Sequence, residues 1–105
     1  MALAWVYLFI AGLLEIVWAT ALKLSDGFSK PVPAVVAGLG AAASFWFLAR
    51  AMQSLPMGTA YAVWVGIGAV GLAILGMIWF AEPANAMRLG GIALIVLGIV
   101  TLKLA

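Results

Sequence analysis

The chain has 105 residues, 69% of them apolar and 8% charged, and its five basic and three acidic side chains leave a formal net charge of +2. Soluble domains average about half apolar and a quarter charged, so a mean hydropathy of +1.32 makes lipid the solvent and excludes a water-soluble enzyme. The sequence has no Cys and no His, which removes disulfides, thiol chemistry and the usual transition-metal sites, and its scattered basic residues supply no nucleic-acid surface.

A helix needs about 20 apolar residues to cross the hydrocarbon core, so charges and turn formers mark the ends of spans. Residues 3–22 form one apolar stretch broken only by Glu15, and residues 23–31 gather charge, Ser, Gly and Pro into a loop. A second span, 32–50, carries no charge before Arg50 and is followed by Gln53-Ser54-Leu55-Pro56. A third covers about 58–80 and stops at Glu82-Pro83-Ala84-Asn85. The last, 87–104, has Arg88 and Lys103 near its ends, where long basic side chains snorkel to the interface. The expectation is an all-α membrane protein with four transmembrane helices per chain, a single domain over 1–105, and both termini on one side. The apolar runs do not alternate as strands would, and a sheet in lipid must close into a barrel. Ala19-Thr20-Ala21 resembles a signal-peptide cleavage site, but no Lys or Arg precedes the apolar region and Glu15 interrupts it.

With four spans, Arg50 and Lys103 fall on one side and Lys23, Lys30 and Arg88 on the other. Orientation follows the Lys/Arg bias, and so small a bias leaves it nearly undecided: insertion both ways up and a single topology set by that small excess fit the count equally.

Glu15 is the residue that points to function, because an ionisable group deep in a span is costly and is retained for a role. Lys23, the next basic residue along the chain, is eight positions away, about 12 Å along a helix. A proton is then the resting partner of Glu15, and a cationic ligand can replace it. Trp18 and Gly12 lie one turn away on the same face, Tyr61 and Trp64 repeat that spacing in the third span, and Ser44 is the one hydroxyl between residues 32 and 49. Aromatic faces suit organic cations and hydroxyls orient carboxylates. Trp5, Tyr7 and Trp79, near span ends, read as interface residues, and Trp46 as packing. Asp26 and Glu82 read as solvated charges at helix ends.

Gly66, Gly68, Gly71 and Gly76 interrupt an otherwise apolar third helix, allowing close packing and a hinge at Gly66 and Gly68. In the fourth, Gly91, Leu94, Ile95 and Gly98 form a stripe that lets another backbone approach. Four helices with one intramembrane carboxylate are too few to enclose a cavity and open it on both sides in turn. An obligate homodimer is expected, and with the copies inverted it acquires the in-plane pseudo-two-fold axis of larger transporters.

Four stretches carry a family resemblance: Gly12-Leu13-Leu14-Glu15-Ile16-Val17-Trp18-Ala19, Leu55-Pro56-Met57-Gly58-Thr59-Ala60-Tyr61-Ala62-Val63-Trp64, Gly66-Ile67-Gly68-Ala69-Val70-Gly71 and Gly91-Ile92-Ala93-Leu94-Ile95-Val96-Leu97-Gly98. The chain resembles the small multidrug resistance family of bacterial inner-membrane exporters over essentially its whole length. Trp18 and the Gly58 to Trp64 stretch resemble the guanidinium exporter subtype. The resemblance implies an antiparallel, dual-topology homodimer that exchanges protons for guanidinium by alternating access. It also implies Glu15 as the proton- and substrate-binding group, a pocket of Gly12, Trp18, Ser44, Tyr61 and Trp64, and the last-helix stripe as dimer contact. Val65 departs from the subtype's usual Thr, and Ser44-Phe45-Trp46 resembles the quaternary ammonium branch, both of which imply tolerance for alkylated cations.

The implied partners are a second copy of the chain, a small organic cation and the bilayer, with no nucleic acid, no cofactor and no metal; the proton gradient is the energy source. Two other functions fit the same residues. One is a quaternary ammonium exporter on the same scaffold, and the other is a non-transporting membrane subunit in which Glu15 is an assembly contact.

Overall fold

The structure is a computed structural model that describes residues 2–105. Four helices, α1 (Ala2–Leu24), α2 (Pro31–Met52), α3 (Met57–Trp79) and α4 (Ala86–Leu104), are each long and apolar enough to cross a membrane.

Local chemistry sets the helix ends. After α1, the Ser25 hydroxyl donates to the Leu22 carbonyl at 2.6 Å and accepts the Phe28 amide at 3.1 Å. The chain reverses there through left-handed Asp26, Gly27 and Phe28, with φ of 50°, 69° and 68°. Pro31 and Pro33 occupy the first turn of α2, where a missing amide costs nothing and the fixed φ already suits a helix. The last turn of α3 is closed by the amides of Phe80 and Glu82, both donating to the Gly76 carbonyl, with Ala81 between them at φ 54°. Asn85 caps α4, its side chain accepting the Arg88 amide at 2.9 Å.

The helices pack through small residues, since helix association in lipid draws on close van der Waals contact rather than on water exclusion. A Cβ added to Gly12 would lie 2.5 Å from Ile67 Cγ2, and one added to Gly40 would lie 2.9 Å from Trp18 Cβ. Leu8, Ala11, Leu48, Ala51, Ala60, Val63 and Trp64 form the core where α1, α2 and α3 meet. The α4 backbone approaches α3 alone, and none of its residues is buried. The result is a slab of 40 × 35 × 16 Å.

The ends carry the basic residues on aromatic faces. The Arg50 guanidinium lies 5.5 Å from the Trp46 ring centroid, and the Lys103 ammonium 4.7 Å from that of Trp5. Trp46, expected to pack, lies edge-to-face on Tyr7 and Phe47 and, half-exposed, also under the Arg50 guanidinium.

Candidate intramembrane carboxylate site

Glu15 lies midway along α1 and faces α3 at Gly68, where the backbone itself forms the wall. A Cβ added to Gly68 would overlap the Glu15 carboxylate and approach its Cγ to 2.9 Å. Glu15 Oε1 is buried and without a hydrogen-bond partner in the chain, and so is the indole Nε1 of Trp18, one turn away on the same face. The one ion pair among the described residues, Arg88 with Glu82, lies at the end of the bundle. Two unsatisfied polar atoms on one face form an acceptor and a donor that the fold leaves available.

Ser44, fully buried on α2, ties three helices together. Its hydroxyl donates to the Ala11 carbonyl of α1 at 2.7 Å and accepts the Trp64 Nε1–H of α3 at 3.0 Å. A hydroxyl has one proton to donate, so in this arrangement Ser44 positions Trp64 and leaves Glu15 free. Replacing it with Ala strands a buried indole N–H, which costs about 1–3 kcal/mol, while the Ala11 carbonyl keeps its bond within α1. Ser44→Ala is expected to lower the melting temperature of the purified protein, with Ser44→Thr recovering most of the loss; an unchanged melting curve would remove this bridge from the account.

The aromatic residues form a continuous row. Trp18 and Phe45 have centroids 6.3 Å apart, Phe45 and Trp64 5.8 Å, and Trp64 and Tyr61 5.3 Å, all edge-to-face. Tyr61 is joined to the group only through Trp64 and is 53% exposed. Phe45 supplies the link between α1 and α3 that sequence reasoning missed; its one signal was adjacency to Ser44.

The remaining predicted positions divide. Gly12 is covered by Ile67, and Gly66 by Ile95 and Ile99 of α4. The α3 helix is continuous through Gly66 and Gly68, both serving as close contacts in this conformation. On α4, Gly91 and Gly98 open onto free space and Leu94 is exposed, whereas Ile95 leans on Gly66. Val65 is exposed.

Fold and sequence together define a multi-pass membrane protein with four membrane-spanning helices and a buried carboxyl group between two of them. The Small Multidrug Resistance protein family matches residues 3–95, and the chain belongs to that family. It is 56% identical over 98% of both chains to the guanidinium exporter of Escherichia coli (strain K12). Identity is 54% to the guanidinium exporter of Yersinia pseudotuberculosis serotype I, covering 98% of this chain and 99% of the relative. It is 48% to that of Salmonella typhimurium, covering 98% of both. Four apolar spans and these relatives place the protein in the bacterial inner membrane.

Proposed function

We propose that the protein is a proton-coupled antiporter that exports guanidinium by alternating access. The observation that carries the proposal is Glu15 Oε1, buried against Gly68, unpartnered, and one turn from an equally unpartnered Trp18 indole. The relatives named guanidinium exporters supply the substrate class.

Guanidinium is a planar cation whose paired N–H groups match the two oxygens of a carboxylate in a fork. A protonated carboxyl cannot accept that fork on both oxygens, so proton and cation occupy Glu15 in turn. Binding of guanidinium to the dimer releases the protons of both Glu15 groups, and their reprotonation from the other side releases guanidinium, so two protons exchange for one cation and net charge moves. Trp18, one turn from Glu15, and the linked rings of Phe45 and Trp64 would supply cation–π attraction and limit the size of the ion. No cofactor and no metal enters this cycle; the proton gradient drives it.

The working unit is a homodimer of inverted copies. With α4 packed against α3 alone and none of its residues buried, one copy leaves helix faces for a second, which would bring a second Glu15. The open glycines Gly91 and Gly98 and exposed Leu94 of α4 suit close approach by the partner. Gly66 and Gly68, free of side chains, let α3 bend as the two copies exchange conformations.

Transport currents across a solid-supported membrane, recorded with guanidinyl and tetraalkylammonium compounds, test the reading. Guanidinium currents that require a proton gradient are expected. Currents with tetraalkylammonium ions alone would make the protein a quaternary ammonium exporter, and none with any cation would leave Glu15 as an assembly contact. Trp18→Gly widens the site next to Glu15 and is expected to shift preference toward bulkier ammonium ions; an unchanged substrate profile takes Trp18 out of the selectivity argument.

A further inference from the structure

A cavity of about 260 Å³ opens between the ends of α1 and α3, lined by Ala19, Thr20, Lys23, Leu72, Phe80 and Glu82 among others. Ala19 is four residues beyond Glu15 and Leu72 four beyond Gly68, so the cavity begins about one helical turn, roughly 6 Å, outward from the carboxylate site on both helices. Ile16, packed on Gly71, lies between the two levels.

Glu82 is built into the mouth of this cavity. Its amide donates to the Gly76 carbonyl at 3.0 Å, and its carboxylate rests over Gly76, where any Cβ would collide with it. Its partner is a guanidinium: Arg88 Nη2 donates to Glu82 Oε1 at 3.1 Å, with both side chains 40% exposed. Beside it the Lys23 ammonium sits 5.0 Å from the centroid of Phe80. The mouth thus already holds two cations of the chain, a guanidinium on a carboxylate and an ammonium on an aromatic face.

The geometry points to a second, outer cation subsite in which Glu82 takes up free guanidinium in competition with the tethered guanidinium of Arg88. This rests on the export reading and adds to it a staging point on the path to Glu15. Arg88 is attached to α4, and its single hydrogen bond at a half-exposed position makes it displaceable, since exposed ion pairs contribute little net free energy. With Arg88 withdrawn, Glu82 is the one acidic group lining the cavity, and Lys23 is held aside on Phe80. The subsite is selective for the same planar, forked cation that the inner site takes.

The test is the guanidinium concentration dependence of transport currents from the full-length protein in vesicles at low ionic strength. Arg88→Ala removes the competitor and is expected to lower the half-saturating guanidinium concentration about threefold, while Glu82→Gln raises it by a similar factor and the double variant matches Glu82→Gln. Arg88→Lys, which keeps the charge but loses the fork, should fall between wild type and Arg88→Ala, and it serves if the alanine variant does not insert. A pair that only braced the loop would behave alike when broken from either end. Shifts in the same direction, or no shift in any variant, therefore overturn the subsite. Absence of guanidinium current in the wild-type protein would instead strike at the export reading itself.

Discussion

Glu15→Gln is expected to reduce proton-coupled guanidinium transport to the background of protein-free vesicles. The substitution keeps the size and shape of the side chain, so contact with Gly68 and the surrounding packing persist. What it removes is the ability to ionise, and with it both the proton carried and the negative charge that holds the cation. The acidic groups that remain, Asp26 and Glu82, lie in the loops at the ends of the spans and cannot stand in for it. Glutamine is uncharged and polar like the protonated carboxyl it replaces, so Glu15→Gln should be about as abundant in the membrane as wild type. Proton-dependent uptake surviving in this variant would refute the mechanism.

Gly68→Ala is expected to lower transport by tenfold or more without loss of folded protein. An alanine in a helix interior gains about 1 kcal/mol over glycine in propensity, so α3 should tolerate the change. The added methyl, however, falls where the Glu15 carboxylate sits and within 2.9 Å of its Cγ, close enough to force the whole side chain out of position. A misplacement of about 1 Å at a reacting group can cost as much as a hundredfold. Measured currents near wild-type strength, with the variant present at normal levels, would show that Glu15 does not work from the position facing Gly68.

The four spans were legible because each is a charge-free or nearly charge-free stretch closed by turn chemistry: Pro31 and Pro33 opening α2, Pro56 preceding α3, Asn85 capping α4. Glu15 was legible because nothing in the sequence near it offers a counter-charge. The relations between helices were not. A helix that is apolar all round carries no stripe to mark its inward face, so nothing along α3 distinguishes Gly68, which receives Glu15, from Gly66, which receives Ile95 and Ile99. Both read as positions for close packing and a hinge, and the side chain that each receives appears only once the helices are set in register. Phe45 stayed hidden for the same reason, since its value lies in bridging Trp18 and Trp64 across three helices. Ser44 and Trp64 were each singled out, but the hydrogen bond joining them spans 20 residues of sequence and follows from packing alone. Glu82, read as a solvated charge, is half-exposed and engaged with Arg88, because the reversal at Ala81 turns it back over Gly76.

If a proton and guanidinium contend for Glu15, guanidinium binding must release a proton. Guanidinium added to concentrated wild-type protein in weakly buffered detergent solution should acidify the solution, and the apparent affinity should fall by about tenfold per pH unit for each proton displaced once Glu15 is mostly protonated. Glu15→Gln should release nothing. Guanidinium binding to wild type with no proton released, at any pH between mild acidity and mild alkalinity, would contradict the account.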